Sequence, residues 1–384
     1  MPSMQSLLIV ASFKAFSCLL ILFHLVGFFN FRLKLNHTTG LTVGPRRWTS
    51  SIWCILHLLL TVLSGIMAKH HYNLLFKGLM ITDTMNNYLK YVIGLVTIFV
   101  SLADSWFEVE AHRTIWCHYR DLATRYGTIV GLVGRAELAQ ILLRYIATFL
   151  TILLVCAVVE CIIFTGLTPG TQWHWFWMHN FYPYTYSHLR HVFHLLHIAL
   201  MASNLRQLGR KLVVLQQQQQ QQQQEALAME RMAELRVLYG ELWQINEGIN
   251  QLFGFSQAFN IACSFAQIAF DLYWVYAMWQ KQEERIHLQL YCFFPTPVII
   301  GFLMHEAKNY QLAMDAVEAA VLDMNSSQNP EMVRFRFYFL HQLLRHRLKL
   351  TARNIFDFDY TLIRKLVIVI LTYVIIFIEI SDDK

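Results

Sequence analysis

Seven windows of about 20 predominantly apolar residues recur along this chain of 384 residues. A helix rises about 1.5 Å per residue, so each window is long enough to cross the ~30 Å hydrocarbon core of a bilayer. Helices and closed barrels are the structures that satisfy their own backbone hydrogen bonds inside lipid. We therefore predict an all-α integral membrane protein with seven transmembrane helices, which cover residues 48–68, 88–109, 139–166, 180–202, 255–279, 286–304 and 361–380.

The composition supports a membrane protein. Hydrophobic residues make up 56% of the chain and charged residues 15%, whereas soluble domains contain about 25% charged residues. None of the seven cysteines has CxxC spacing and six lie in apolar runs, so we expect packing roles, with no disulfide framework and no metal site. The sequence has no P-loop, GxSxG or HExxH motif and no nucleic-acid module. These features argue against an enzyme, a cofactor or a nucleic-acid partner.

The lysines and arginines between the windows predict the orientation of the chain. Taken alternately, the intervening segments carry 21 basic residues on one side and 5 on the other. Basic loops stay on the cytoplasmic side of a membrane. We therefore expect a cytoplasmic N-terminal segment, 1–47, cytoplasmic loops at 110–138, 203–254 and 305–360, and an extracellular C-terminus.

An eighth apolar run, "FSCLLILFHLVGFFNF", covers residues 16–31 and is followed by Arg32 and Lys34. It is short for a span, and the charge distribution leaves three alternatives open: a further span, a signal anchor, or a short helix lying in or re-entering the interface. Two N-x-[ST] sequons begin at Asn36 and Asn325. Both fall on the predicted cytoplasmic side, so we expect neither to be glycosylated.

The two longest cytoplasmic loops are predicted to be helical. In 203–254, nine glutamines at 216–224 are flanked by apolar residues at helical spacing. The flanks indicate that spans four and five project into the cytosol, and a tolerated loop expansion explains the glutamines more simply than a functional tract. In 305–360, the basic amphipathic stretch 331–350 predicts another helix, packed on those projections or resting on anionic lipid.

The last span contains the sequence "TYVIIFIEI". Thr372, Ile375, Ile376 and Glu379 fall on one helical face. Facing a symmetry axis, the isoleucines could form an apolar ring that blocks flow until it widens, and Glu379 an acidic ring that favours cations. The alternative is that Glu379 reaches the membrane interface and has no role in permeation.

This last helix resembles that of insect gustatory receptors and of the related odorant receptors, which carries T-Y, five mostly apolar residues and then Q-F. Thr372 and Tyr373 match, whereas Glu379 and Ile380 stand where Gln and Phe are usual. The stretches "FYFLHQLLRHRLKLTARNIFDFDYTLI" and "LVGFFNFRLKLNHTTG" also resemble the segments before the last and first spans of this family.

The resemblance implies a gustatory receptor that acts as a ligand-gated cation channel, a homo- or heterotetramer in the plasma membrane of chemosensory neurons. Each subunit would contribute its last helix, 361–380, to a central pore, and cytoplasmic helices of 203–254 and 305–360 would anchor the tetramer. A small extracellular tastant would bind in the bundle of the first six spans, 48–304, and the run 16–31 would not cross. The pore candidates are Thr372, Tyr373, Ile375, Ile376 and Glu379. The glutamate leaves selectivity open, and also whether the subunit conducts alone.

Ionisable residues inside the predicted spans are the first candidates for a ligand pocket, because charges in a membrane are costly and usually functional. Glu160, His188, Arg190 and Asp271 fall in the outer halves of their spans. Glu160 and Asp271 could accept hydrogen bonds from a polar ligand, and Arg190 could pair with either. The alternative is an ion pair between helices that has no ligand role.

Two further patterns lie beside these residues. The aromatic stretch "TQWHWFWMHNFYPYTY" includes Trp177 and Tyr182, and indicates either an interfacial belt or the roof of a pocket. The string "HLRHVFHLLH" places a histidine, beginning with His188, at every third position. This spacing suits pocket lining or packing better than metal binding, since no carboxylate lies in the same run.

Three other classes of protein remain as alternatives. A receptor coupled to G proteins would need an extracellular N-terminus, against the distribution of basic residues. A transporter would show internal repeats with broken helices at matching positions, and none is recognisable. A non-conducting modulatory subunit of the same family fits the sequence equally well.

Overall fold

The computed structural model describes residues 4–36, 40–46, 48–70, 81–127, 136–167, 173–220, 225–280, 282, 286–324 and 330–382. These residues form eleven helices and one two-stranded hairpin. The elements are α1 (Met4–Leu25), β1 (Phe31–Asn36), β2 (Gly40–Arg46), α2 (Trp48–His70), α3 (Ile81–Phe107), α4 (Val109–Arg125), α5 (Ala136–Leu167), α6 (Trp173–Gln220), α7 (Glu225–Gln280), α8 (Ile286–Phe293), α9 (Pro295–Leu322), α10 (Pro330–Arg345) and α11 (Tyr360–Asp382).

Each predicted span coincides with helical structure. Spans one to five correspond to α2, α3, α5, α6 and α7, the sixth to α8 with the start of α9, and the seventh to α11. Among the described residues, α2, α3, α7 and α11 each contain a continuous stretch that is long and apolar enough to cross a membrane. The predicted all-α architecture is thus confirmed, and all seven predicted windows lie in helical structure.

Helices α6 and α7 are much longer than a bilayer is thick. They contain 48 and 56 residues, which corresponds to about 72 and 84 Å. The two helices contact each other, leucines near their far ends such as Leu212 and Leu238 are buried, and α9 packs along α6. The apolar spacing that predicted helical projections on both sides of the glutamine tract is therefore used for packing between these helices.

The sixth span is broken at Phe294, between α8 and α9. Helix α9 begins at Pro295, and Pro297 follows in its first turn. Proline has no N–H to continue the preceding helix but is well suited to a first turn. Phe294 keeps helical dihedral angles, with φ −61° and ψ −37°, so α9 follows α8 directly.

The N-terminal segment differs in detail from the predicted short helix over 16–31. Helix α1 runs from Met4 to Leu25, and Phe31 already belongs to a strand, since β1 pairs with β2 in an antiparallel hairpin. The chain turns at Gly27, whose φ is +83°, and a Cβ there would lie 3.0 Å from Cys54 Cα on α2. Helix α1 packs against α5, and the hairpin against α4.

Candidate functional site: a polar cluster and the last helix

A buried ion pair joins α3 to α7 in the outer half of the bundle, as the predicted topology orients it. Lys90 Nζ lies 3.1 Å from Asp271 Oδ1, and the Asp271 side chain is 2% exposed. Gln267 Nε2 donates to both oxygens of the same carboxylate, at 3.1 and 2.9 Å. Buried charges in a membrane protein are paired and hydrogen-bonded, because an isolated charge would be costly. The pair therefore links two spans whose residues are far apart in sequence.

Glu160 brings a third helix, α5, into this cluster. Its side chain is buried and lies near enough to Lys90 and Asp271 to interact electrostatically with both. Two carboxylates and one ammonium group thus come together from three spans. The sequence pointed to Glu160 and Asp271 but missed Lys90, although a lysine inside a predicted span was a usable signal.

The predicted pairing of Arg190 with Glu160 or Asp271 is not formed. The Arg190 side chain instead donates to Ser256 Oγ at 2.7 Å, and its guanidinium carbon lies 4.8 Å from the ring centre of Phe253. The reason is that Arg190 lies at the depth of Ser256 in the bundle and not at the depth of Asp271. Ser256 and Asp271 both lie on α7, separated by 15 residues, which is about 22 Å along a helix.

Arg190 is linked to a carboxylate, that of Asp104, through Ser256. Asp104, at the inner end of α3, accepts a hydrogen bond from the backbone N–H of Ser256 at 2.8 Å. The Ser256 side chain accepts from Arg190. The guanidinium group is therefore connected to a carboxylate through Ser256 and is surrounded by aromatic rings, which favours a structural role in joining α6 to α7.

His188 lies in a polar layer next to the break in the sixth span. Its Nδ1 is 2.7 Å from the carbonyl oxygen of Tyr184, and its Nε2 is 3.2 Å from Thr296 Oγ1. A carbonyl oxygen only accepts, so Nδ1 carries the proton and Nε2 accepts from the threonine hydroxyl. Tyr184 Oη in turn lies 3.9 Å from Cys156 Sγ on α5. His188 thus connects α6 to the first residues of α9.

The other histidines of the three-residue repeat make separate contacts. His191 lies 2.8 Å from Ser264 Oγ and 2.7 Å from Gln257 Nε2. His194 stacks on Phe253, with ring centres 4.5 Å apart. Within the described part of the chain, no group of three or more His, Cys, Asp or Glu side chains is placed to hold a metal ion. The repeat serves packing and hydrogen bonding between helices.

The aromatic stretch at the start of α6 contributes Tyr182 to the same half of the bundle. Tyr182 Oη lies 3.1 Å from His57 Nδ1 and 3.5 Å from Thr61 Oγ1, both on α2. Tyr182 therefore closes the contact between α2 and α6. Trp177 belongs to α6, but its side chain lies outside the described residues.

Helix α11 divides its candidate residues between two faces. Tyr373 faces the bundle: its Oη donates to Asn86 Oδ1 on α3 at 3.1 Å, and its ring packs on Phe270 of α7, with centres 5.5 Å apart. The residues on the opposite face are exposed, and they are Thr372, Ile375, Ile376 and Glu379. Tyr373 thus attaches α11 to the rest of the chain, while the other four candidates point away from the bundle.

The start of α11 is fixed by Asp359. Its Oδ1 accepts from the backbone N–H groups of Thr361 and Leu362, at 2.9 and 3.1 Å. Partial desolvation opposes ionisation of this carboxyl group, but the hydrogen bonds from Thr361 and Leu362 outweigh it and lower the pKa of Asp359. Such an N-cap satisfies backbone donors that a helix leaves unpaired in its first turn.

Comparison with known proteins identifies the family. The family described as 7tm chemosensory receptor matches residues 16–383, so this chain belongs to that family. The predicted family and receptor class are confirmed, and the chain is a multi-span chemosensory receptor rather than a member of an enzyme family. No curated protein sequence matches this chain significantly.

The fold is also found among solved structures. The insect olfactory receptor OR5 from Machilis hrabei aligns with a TM-score of 0.65 and 11% identity, over 96% of this chain and 98% of that receptor. The same receptor in complex with eugenol aligns with a TM-score of 0.58, again at 11% identity and with the same coverage. At this identity the likeness establishes a shared fold, and the shared fold covers 96% of the chain.

Proposed function

We propose that this chain is a gustatory-type receptor subunit of a tetrameric, ligand-gated cation channel. The observation that carries the proposal is the exposed face of α11. Thr372, Ile375, Ile376 and Glu379 lie together on that face, and only 6% of the most apolar stretch of the helix is buried. Around a four-fold axis, the isoleucines would narrow the pore by an apolar ring, and Glu379 would concentrate cations at the outer end.

The proposed orientation places the N-terminus in the cytoplasm and the C-terminus outside, in the plasma membrane of a chemosensory neuron. The unequal distribution of lysine and arginine supports it. In this orientation the ends of α6 and α7 project into the cytosol with α9 and α10, where they form the proposed tetramer anchor. Helix α1 lies at the inner interface and does not cross.

The proposed ligand site is the polar cluster in the outer half of the bundle. Glu160, Lys90 and Asp271 lie at one side, with His188 and Tyr182 in neighbouring layers. A few polar groups among apolar walls suit a small organic molecule, and OR5 has been solved in complex with one such ligand, eugenol. We propose a small extracellular tastant with at least one polar group, bound between α3, α5, α6 and α7.

The test is the ion selectivity of cells that express this chain, alone and with a related subunit. Ligand-free currents and currents under a small-molecule panel are recorded for wild type and for Glu379→Gln and Glu379→Ala. Loss of the acidic ring should shift the reversal potential toward less selectivity for cations. The matched control is Glu110→Gln, which removes an exposed carboxylate from α4.

Two results would count against the proposal. Currents whose reversal potential is the same in all three Glu379 forms would remove this residue from the pore. A C-terminal tag that is reached from the cytoplasm and not from outside would contradict the orientation.

A further inference from the structure

Glu108, at the inner end of α3, connects three separate parts of the molecule. It lies between Phe107, the last residue of α3, and Val109, the first residue of α4. Its Oε1 accepts from an Arg353 guanidinium N–H at 2.9 Å, and its Oε2 accepts from Gln251 Nε2 on α7 at 3.1 Å. One carboxylate therefore holds α3 both to α7 and to the segment that leads into α11.

That leading segment, residues 346–359, is a compact turn. The N–H of Ala352 donates to the carbonyl of Phe356 at 3.0 Å, and the N–H of Phe358 to the carbonyl of Leu350 at 3.1 Å. Arg353 has a φ of +46° and the residue after it, Asn354, a φ of +60°. Non-glycine residues keep such conformations when surrounding contacts hold them there. These hydrogen bonds and backbone conformations hold Arg353 at a fixed position in the turn.

Gly254 on α7 completes this arrangement. A Cβ at Gly254 would overlap Arg353 Cγ and would lie 2.9 Å from the Arg353 backbone nitrogen. Contacts this short do not occur, so any side chain at this position would displace the turn. Asn250, one turn earlier on α7, donates to the carbonyl of Lys349 at 2.8 Å and so fixes the other end of the turn.

Helix α3 also contacts α11 directly near its outer end, where Asn86 accepts from Tyr373. Glu108 lies 22 residues further along, which is about 33 Å for a helix. Lys90, with its ion pair to Asp271, lies one turn from Asn86 and about 27 Å from Glu108. The helix that carries the ligand-site lysine is thus attached to α11 near one end and to the turn before α11 at the other.

We propose that Glu108 and Arg353 are positioning residues for gating, which transmit a displacement of α3 at the ligand site to the start of α11. The proposal rests on the proposed channel function in that α11 is taken as the gate. A ligand that moves Lys90 would shift α3 as a rigid helix. The ion pair at Glu108, together with the turn wedged against Gly254, would pull on residues 357–362 and change the tilt of α11.

The first experiment measures amide hydrogen exchange of residues 359–366 in the purified full-length protein. Glu108→Gln and Arg353→Gln should each raise exchange about two- to fivefold, the range expected for losing a half-exposed ion pair. Glu110→Gln is the matched control, since Glu110 pairs only with its near neighbour Arg113 among the ion pairs of α4, and it should leave exchange there unchanged. Equal exchange in the Glu108, Arg353 and Glu110 variants would overturn the proposal.

The second experiment tests transmission along α3. The double variant Lys90→Met with Asp271→Leu removes the ion pair without leaving either of its partners as an unpaired buried charge. It should raise exchange at 359–366 by about twofold or more in the wild-type background and should have no further effect in the Glu108→Gln background. Independent sites this far apart would add their effects, so simple additivity would overturn the proposal. Lys90→Arg, which keeps the positive partner of Asp271, is the matched control and should leave exchange at 359–366 unchanged.

These results are separate from the test of channel function. A wild-type protein that reaches the surface with a related subunit and carries no cation current under any condition would contradict the proposed function. The exchange measurements would still decide whether α3 is coupled to the start of α11.

Discussion

Helices α6 and α11 differ in two properties, the burial of their side chains and the polarity of those side chains. In the most apolar of the four clear candidate spans, α11, only 6% of the most apolar stretch is buried. Helix α6 carries four histidines and an arginine between residues 188 and 197, and its side chains over residues 186–205 are all buried. Polar groups can lie inside a membrane protein where neighbouring helices supply partners, whereas a surface that faces lipid or a second subunit must be apolar or functional. In this receptor the buried helix α6 carries polar side chains, and the exposed helix α11 is mostly apolar.

The largest expected effect comes from breaking the polar interior. Lys90→Met leaves the Asp271 carboxylate buried without its counter-ion and should lower the free energy of unfolding by about 3–5 kcal/mol. The double variant Lys90→Met with Asp271→Leu should recover part of that loss, because Glu160 is then the one carboxyl group of the cluster that stays buried. Thermal denaturation in detergent measures both. A single variant as stable as wild type would contradict this prediction, because it would mean that water reaches the Asp271 carboxylate.

A smaller effect is expected at the start of α11. Asp359→Ala should cost about 0.5–2 kcal/mol, the usual range for an N-cap. The folded-state pKa of Asp359 lies below its unfolded value, so its contribution is present above the unfolded value of about 4 and is lost as pH falls through the folded pKa. Helix α11 should therefore loosen in acid in the wild type, and exchange at residues 361–364 should lose this acid dependence in Asp359→Ala. An unchanged acid dependence would show that another group controls this end.

The smallest effects distinguish the two faces of α11. Tyr373→Phe removes the hydroxyl that donates to Asn86 and should cost about 0.5–1.5 kcal/mol in subunit stability. Thr372→Val lies one residue away on the exposed face, where its hydroxyl bonds only to the carbonyl of Ile368 at 2.9 Å. It should leave stability within about 0.5 kcal/mol while changing the current, if this face lines the pore. The reverse pattern would mean that α11 is rotated relative to the structure.

Local sequence patterns predicted the long helices and the faces of α11 well. Each span follows from a run of neighbouring residues, and helical spacing placed Thr372 and Glu379 together. The pattern "TYVIIFIEI" also pointed to the family. The pattern did not predict that Tyr373 faces the bundle while its neighbour Thr372 faces away. Residues that are adjacent in the motif lie on different faces of the helix.

Pairing between spans was predicted less well. Arg190 looked like a partner for Asp271, and the structure gives that place to Lys90, 181 residues away in sequence. The β1–β2 hairpin and the ion pair between Glu108 and Arg353 had no signal in periodicity or composition. Each of these depends on the depth and rotation of helices that are distant along the chain.

The sequence by itself determined that this protein is a helical membrane protein with seven long apolar windows, where its helices lie, and which residues of α11 share a face. These properties follow from hydropathy, which acts over one bilayer thickness, and from the 3.6-residue period. Only the tertiary structure decided which charges are paired, which face of α11 is attached by Tyr373, and that α3 meets both α11 and the turn before it. Those outcomes depend on how long helices align along one another, and a few residues of shift in that alignment moves a side chain to a different partner.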